Sequence, residues 1–110
     1  MLTDQPLDPV IIADLDLTSV RSALHAELAR GEATVRELEP RAIPHLDPVA
    51  YMTTVSTLRT MDGIRAALDR LARGTYGRCI RCGGAILAAR LEVLPHAETC
   101  MDCQAEVERA

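Results

Sequence analysis

The stretch YGRCIRCGGAILAARLEVLPHAETCMDCQ, residues 76–104, carries all four cysteines of the chain. They form two Cys-x-x-Cys pairs, Cys79 with Cys82 and Cys100 with Cys103, and seventeen residues separate the pairs. Such spacing is typical of a tetrahedral zinc site, in which each pair supplies two thiolates from a tight turn. We therefore predict one structural zinc ion per chain, with these four cysteines as its ligands.

Other uses of the cysteines fit the sequence less well. A thioredoxin-like redox site needs one Cys-x-x-Cys pair at a strand-to-helix junction, and no βαβ pattern surrounds either pair. A catalytic zinc keeps one coordination position open for water, whereas four thiolates close the site. Iron is compatible with the same ligands, so the spacing alone leaves the choice between zinc and iron open.

The residues beside the first pair suit a metal site. Gly83 and Gly84 directly follow Cys82, where the turn needs positive φ and a close approach of the backbone to the metal. We expect backbone N–H groups of this turn to point at the sulfur atoms. Four thiolates on Zn²⁺ leave a net charge of about −2. Arg78 and Arg81 are placed to offset part of that charge.

The rest of the chain is short and poor in large side chains. It has 110 residues, with two Tyr and no Phe or Trp, so a core must be built from aliphatic side chains. A chain of this length forms one domain, or a small module with an extended arm. Such a composition favours a helical hairpin or a module that a metal ion staples.

Two stretches of helical periodicity precede the cysteines. The first begins at Thr18, a predicted N-cap, and its stripe consists of Val20, Leu24, Leu28, Val35 and Leu38. Gly31 lies within this helix and predicts a break or a kink. The second begins near Val49 and ends at Gly74, a predicted C-cap. Its stripe consists of Val55, Leu58, Met61, Ile64, Leu68 and Leu71.

A proline-rich segment separates the two stripes. Pro40, Pro44 and Pro48 prevent a regular helix from passing through it, so we predict a turn near residues 40–48. Two helices joined in this way lie antiparallel and bury their stripes against each other. The predicted fold is therefore mainly α: an antiparallel, coiled-coil-like helical hairpin, followed by a small four-cysteine zinc finger and a short C-terminal helix. The predicted parts are an irregular leader at 1–17, the hairpin at 18–73 and the zinc finger with its helix at 74–110.

The predicted leader also bears on where the protein works. Its longest apolar run, Val10 to Ala13, is too short for a signal peptide or a membrane span. We therefore expect a cytoplasmic protein that does not bind membranes. In a reducing cytoplasm, paired cysteines indicate metal ligation rather than disulfides.

The charge pattern argues against direct binding to nucleic acid. All twelve basic residues are Arg, against sixteen Asp and Glu, which gives a formal net charge of −4. The arginines are dispersed along the chain, whereas neutralising the phosphates of a duplex normally needs a basic patch. We expect no direct sequence-specific binding to DNA or RNA. An enzyme is the least favoured class, because no nucleophile and base and no phosphate-binding glycine loop are recognisable.

The cysteine region resembles the zinc finger of the DksA/TraR family. The shared features are a Gly and an aromatic residue before the first pair, a Gly after it, an Arg-Leu-Glu triplet, a Pro-x-Ala, and a closing pair that leads into a helix. In this chain they are Gly74, Tyr76, Gly77, Cys79, Cys82, Gly83, Ile86, Arg90, Leu91, Glu92, Pro95, Ala97, Cys100 and Cys103. The resemblance covers residues 47–110 well and the first helix only in general character.

This resemblance implies a bacterial transcription regulator that binds RNA polymerase. In the family, the hairpin enters the secondary channel of the polymerase, and the zinc module with the C-terminal helix holds the channel rim. Active members carry Asp-x-x-Asp-x-Ala at the hairpin tip, which approaches the catalytic centre. Here the turn is PHLDPVAYM, residues 44–52, and no register supplies both carboxylates. If Asp47 is the first acid, for example, the second position falls on Ala50.

We therefore expect Asp47 to be the partner-binding residue of the tip, with channel binding retained and regulation weakened. The same residue precedes Pro48 and is also a predicted helix cap. A competing interpretation is a zinc-stapled protein-interaction module, or a dimer through the apolar helices, whose partner is not the polymerase channel. The remaining residues have structural interpretations: exposed turn residues for His45 and His96, a solvated helix residue for His25, and core residues for Met52 and Met61.

Overall fold

The chain is mainly helical in the computed structural model, which describes residues 16–109. The elements are α1 (Leu17–Leu38), a short 3₁₀ helix (Glu39–Arg41), α2 (Pro48–Arg73), α3 (Ala88–Val93) and α4 (Met101–Arg109). Between residues 16 and 109, β structure is limited to an isolated bridge between Arg78 and Ala85. The predicted mainly α fold is confirmed. Residues 1–15 of the predicted leader lie outside the described part.

The first helix begins two residues earlier than predicted, because Asp16 rather than Thr18 caps it. The Asp16 carboxylate accepts hydrogen bonds from the backbone N–H groups of Thr18 and Ser19, at 3.1 and 3.3 Å. The Ser19 hydroxyl donates to the same carboxylate at 2.8 Å and lowers the pKa of Asp16, as do the backbone bonds. These bonds satisfy N–H groups that have no partner within the helix.

Gly31 is not a break, because α1 continues through it to Leu38. Its role lies in the contact between helices. A Cβ atom at this position would lie 2.8 Å from Cγ and 3.0 Å from Sδ of Met61, which is buried on α2. Only a residue without a side chain lets the two helices approach this closely.

The turn between the helices is compact and hydrogen-bonded. The carbonyl oxygen of Ile43 accepts bonds from the N–H groups of Leu46 and Asp47, at 3.0 and 2.8 Å. Asp47 then caps α2 by accepting a bond from the N–H of Ala50 at 3.1 Å, and Pro48 occupies the first helical turn. The predicted cap at Asp47 is confirmed, and so is the C-cap at Gly74, whose φ is +78°.

The two helices pack antiparallel, and most of the predicted stripe faces the partner helix. Met61 is buried as predicted, but Met52 and Leu58 are exposed by 60% and 42%. Near the turn, the buried face of α2 consists instead of Ala50 and Thr54. Small residues there bring the helices together without larger side chains, and the Thr54 hydroxyl is satisfied by the Ala50 carbonyl at 2.8 Å.

The hydrophobic core lies at the base of the hairpin and continues into the cysteine region. Its buried members are Leu24, Ile64, Ala67, Leu71, Tyr76, Cys79, Ile86, Leu91, Ala97 and Cys103. The Arg70 guanidinium also donates to the carbonyl of Ala97 at 3.4 Å. The hairpin and the cysteine region share this core. The predicted boundary between them at residue 74 therefore stays a prediction. Among the described helices, none is both long and apolar enough to cross a bilayer.

The close approach at Gly31 generates a prediction about stability. Gly31→Ala should lower the free energy of unfolding of the native chain by about 1–3 kcal/mol, because the new methyl group overpacks against Met61. In a Met61→Ala background, the same change should raise it by up to about 1 kcal/mol, the usual gain for Ala over Gly in a helix. Urea unfolding followed by circular dichroism measures both.

The difference between the two backgrounds is the diagnostic quantity. Residues in contact show coupling of about 0.5–3 kcal/mol, whereas independent residues add. An equal effect of Gly31→Ala in both backgrounds would mean that the helices do not meet at this point.

Candidate metal centre

The four cysteine sulfur atoms form one cluster, as the sequence predicts. All of them lie within 4.8 Å of one another. Cys79 and Cys103 are buried, Cys100 is half-buried and Cys82 is exposed. Among residues 16–109, no His, Asp or Glu joins this cluster, so the donors that the described part of the chain supplies are all thiols.

A short hairpin loop holds the first cysteine pair. The Cys79 N–H donates to the carbonyl of Gly84, and the Ile86 N–H donates to the carbonyl of Gly77, each at 2.8 Å. The loop then closes through a bond from the Gly83 N–H to the Cys79 carbonyl at 3.0 Å. Gly83 has a φ of +77°, which strongly favours glycine, so its predicted role in the turn is confirmed.

Backbone N–H groups of this loop point at sulfur, as predicted. The Arg81 N–H donates to Sγ of Cys79, and the Gly84 N–H donates to Sγ of Cys82, each at 3.4 Å. A Cβ atom at Gly84 would lie 3.4 Å from the Cys82 sulfur, so a glycine also keeps this approach unhindered. Such bonds stabilise negative charge on sulfur and fix the directions of the thiolates.

The second pair lies at the start of the last helix. Cys100 immediately precedes α4, and Cys103 lies in its first turn. Two contacts bring this pair to the first. The Ile80 N–H donates to the Glu98 carbonyl at 2.9 Å, and the Arg81 guanidinium donates to the Cys103 carbonyl at 3.1 Å.

The geometry of the cluster fits a tetrahedral metal ion. A zinc ion with Zn–S bonds of about 2.3 Å places its four sulfur atoms about 3.8 Å apart. The Sγ atoms of Cys82 and Cys100 are 3.9 Å apart, and no pair exceeds 4.8 Å. Four thiolates fill every position of a tetrahedral ion and leave none for water or substrate. The module therefore holds one structural zinc.

The cysteine pKa values show why a cation belongs in this cluster. Burial acts to raise the pKa of Cys79, but hydrogen bonds from the backbone of Cys82, Cys100 and Arg81 outweigh it and lower that pKa to about 6. The pKa of Cys103 is raised to about 12, first by hydrogen bonding with Cys100 and then by burial. Without a cation, the cluster favours a thiolate at Cys79 and a thiol at Cys103. A divalent ion supplies the charge that lets both ionise.

The two arginines near the first pair are attached to the backbone of the ligand loops. Arg78 donates to the Gly83 carbonyl at 3.2 Å, and Arg81 donates to the Cys103 carbonyl. Arg81 also lies 3.7 Å from the Glu106 carboxylate, which attaches the loop to α4. These bonds keep two cations close to the cluster, in agreement with the predicted offset of its negative charge.

Three further residues, Arg70, Tyr76 and Arg90, support the module through bonds that sequence reasoning did not anticipate; that of Arg70 to the Ala97 carbonyl is described above. The Tyr76 hydroxyl donates to the Pro95 carbonyl at 2.7 Å, and burial raises the pKa of Tyr76 to about 12 against the opposing charge of Arg70. Arg90 donates to the Thr99 carbonyl at 3.1 Å, directly before the second pair. Their partners lie 9 to 27 residues away, so local periodicity carried no signal for them.

His96 differs from its predicted role as an exposed turn residue. It is half-buried, and its Nδ1 atom is buried with no hydrogen-bond partner among the described residues. The ring lies beside Gly63 of α2, in a cleft of about 210 Å³ between the hairpin and the zinc module. The loop that carries it packs against the hairpin rather than projecting into solvent. His25 and His45 are exposed, as predicted.

Asp47 lies at the opposite end of α2 from the cysteines. It precedes the 26 residues of that helix, whose last turn leads into the zinc module. One carboxylate oxygen caps the helix, and the other lies 3.6 Å from Nε of Arg41. The sequence-predicted tip residue is thus held by contacts within the turn and has no part in the metal centre.

Removal of zinc should disrupt the finger and the base of the hairpin together. Structural zinc contributes about 10–16 kcal/mol of apparent free energy in small zinc modules at neutral pH, which exceeds the stability of an ordinary small domain. We expect one zinc per chain by metal analysis. Chelation should abolish amide protection across residues 74–109 and weaken it at Ile64 and Leu71, which share the core.

Cys79→Ser should reproduce the effect of chelation. Added zinc should restore amide protection to the chelated native chain but not to this variant, which separates loss of the ion from general damage. Metal analysis that finds no zinc, or full protection after chelation, would contradict the assignment.

Comparison with known proteins relates this chain to a family model and to individual proteins. The family model described as the prokaryotic dksA/traR C4-type zinc finger matches residues 74–109. An uncharacterized protein of Aquifex aeolicus (strain VF5) is 44% identical over 55 residues, which are 50% of this chain and 36% of that protein. This chain therefore spans about a third of the length of that relative.

The solved structure of the transcription factor DksA2 from Pseudomonas aeruginosa is also similar. It is 26% identical in sequence, and the match covers 96% of this chain and 83% of that chain with a TM-score of 0.47. The family match falls on the segment that contains all four cysteines and the turns that position them. Residues 74–109 of this chain are therefore similar to the C4-type zinc finger of the DksA/TraR family.

Proposed function

We propose that this protein is a transcription regulator of the DksA/TraR type that binds RNA polymerase at its secondary channel. In this proposal the hairpin enters the channel, while the zinc module and α4 hold the rim. The match of residues 74–109 to the family model supports the assignment, as does the helical hairpin that precedes them.

The observation that carries the proposal is the continuous core between the hairpin and the zinc module. Leu24, Ile64 and Leu71 of the hairpin are buried together with Tyr76 and Ile86 of the module. A hairpin joined by a flexible linker would lose entropy when it entered a channel. A hairpin that is fixed to the zinc module by a packed core has a defined orientation before it meets its partner. Contacts between the zinc module and the channel rim therefore also position the tip.

The tip carries a single acid, and we propose that this weakens regulation. Asp47 supplies the carboxylate that remains, but its two oxygens already contact the Ala50 N–H and the Arg41 side chain. Ala50, where a second acid would fall, is buried. A carboxylate introduced there would have to leave water, so this backbone does not readily accommodate the family's acidic pair.

The proposal includes no catalytic chemistry. The zinc is fully ligated by protein, and we assign the chain the role of a non-enzymatic regulator in the cytoplasm. We further propose that it binds neither membranes nor specific nucleic-acid sequences, since its arginines are dispersed among a larger number of acids.

Binding to purified core RNA polymerase tests the proposal directly. The full chain should bind, and a known secondary-channel factor should displace it. Absence of binding, or binding that such a factor does not compete with, would favour the alternative of a zinc-stapled interaction module with another partner.

Asp47→Asn separates the charge of the tip residue from its capping role. Asn caps helices about as well as Asp, so the fold should persist, whereas Asp47→Ala should lower the free energy of unfolding by about 1 kcal/mol. We expect Asp47→Asn to bind polymerase within about threefold of the native chain, a difference of less than 1 kcal/mol. It should lose the small effect on initiation in transcription assays. Unchanged regulation by Asp47→Asn would show that the carboxylate charge is not used.

Affinity for duplex DNA should be low. Few phosphates can be neutralised at once by dispersed arginines, so we expect dissociation constants no tighter than the non-specific range of about 10⁻⁴ to 10⁻⁶ M at physiological salt. Fluorescence anisotropy with labelled duplexes of different sequence measures this. Sub-micromolar binding that depends on sequence would overturn the charge argument.

A further inference from the structure

The tip of the hairpin lies outside both the metal centre and the residues that the family model matches. Its side chains therefore have no assigned role in the proposed interface. Five apolar residues are exposed within ten positions there: Ile43, Leu46, Val49, Tyr51 and Met52. Leu46 and Val49 are exposed by 70% and 75%. We call this set the apolar tip. Exposed apolar groups concentrated at one end of a molecule indicate a surface that another protein covers.

The apolar tip presents little free charge. Asp47 is the acid of the turn, and its carboxylate is engaged by the Ala50 N–H at 3.1 Å and by Arg41 at 3.6 Å. Val49 and Met52 lie three residues apart on α2, so they are neighbours on one helix face. A partner that meets this surface therefore finds methyl groups around a neutralised ion pair, and charge attraction contributes little.

The tip is also held in one conformation. The N–H groups of Leu46 and Asp47 both donate to the Ile43 carbonyl, and prolines at 40, 44 and 48 restrict the backbone. Side chains on such a turn lose less conformational entropy on binding than side chains on a mobile loop. This rigidity suits insertion into a preformed pocket.

The size of the surface decides what kind of partner fits. A stable protein–protein interface needs about 20–30 residues on each side, far more than the five residues of the apolar tip. Two copies that met tip to tip would therefore not form a stable dimer. The surface has the size of an anchor within a larger interface, which is what the proposed engagement of the whole hairpin supplies.

We propose that the apolar tip is an anchor that docks in an apolar pocket on RNA polymerase, and that it contributes affinity through Leu46 and Val49 rather than through charge. This inference rests on the proposed function. It assigns to the end of the hairpin a role in holding the partner, separate from the weak regulatory effect attributed to Asp47.

The test compares two double variants that alter the same positions. Leu46→Asn with Val49→Thr makes the tip polar with little change of shape, whereas Leu46→Met with Val49→Ile keeps it apolar. Both sites are exposed, so both variants should fold and retain zinc, which circular dichroism and metal analysis check. Affinity for purified core RNA polymerase is measured with the full chain at two salt concentrations.

We expect the polar pair to weaken binding by about tenfold or more, the loss typical of removing an anchor contact. The apolar pair should remain within about threefold of the native chain. The difference between the pairs should persist at high salt, because screening acts on charges and not on apolar contacts.

Each alternative result has a distinct meaning. Equal binding by both pairs and the native chain would overturn the apolar anchor while leaving the proposed function intact. No binding by the native chain would overturn the proposed function, and the anchor with it. A change of oligomeric state in the polar pair, measured by sedimentation, would assign the surface to a second copy and overturn the proposal.

Discussion

The fold depends on bringing four thiols to within 4.8 Å of one another, an arrangement that is unfavourable until a cation balances their charge. Several local features of residues 76–104 serve this arrangement. Gly83 turns the chain back, two N–H groups point at sulfur, and Arg81 attaches the first loop to the carbonyl of Cys103. The module has few large side chains of its own, so the ion replaces much of the stabilisation that a larger core would give.

That metal site organises more than the finger. Cys79 and Cys103 are themselves members of the hydrophobic core, together with residues from both helices of the hairpin. The ligands therefore fix the position of Tyr76, whose hydroxyl bonds to Pro95, and of the loop that accepts a bond from Arg70. We therefore expect metal binding, module folding and hairpin orientation to form one cooperative unit.

Sequence reasoning succeeded where the physical cause is local. Two Cys-x-x-Cys pairs, a cap at Asp47 and a positive φ at Gly74 each depend on residues within a few positions, so spacing and side-chain chemistry were sufficient. The resemblance noted in the sequence agrees with the family model that matches residues 74–109. The bounds of the two hairpin helices were predicted to within about two residues for the same reason.

The failures share a different cause, namely contacts between residues distant in the chain. Gly31 was predicted to mark a break or a kink, because nothing in its neighbourhood reveals that Met61 lies opposite it. His96 was predicted to be exposed, although its loop packs beside Gly63. Met52 was predicted to be a core residue, but Ala50 and Thr54 form the buried face at that level. Tertiary packing determines whether such residues are buried and what they contact, and the periodicity of the sequence does not reveal that packing.

The hairpin packs against the zinc module only near its base, so a small rotation there moves the far end of the hairpin by a larger distance. The 26 residues of α2 span about 39 Å at the usual helical rise, with the core at one end and the turn at the other. A tilt of about 5° at the base would therefore displace the far end by about 3 Å, roughly two residues of helical rise. A small shift at the contact between Arg70 and Ala97 therefore produces a larger displacement at the opposite end of the hairpin. Substitutions at this contact change the position of the tip although they lie far from it.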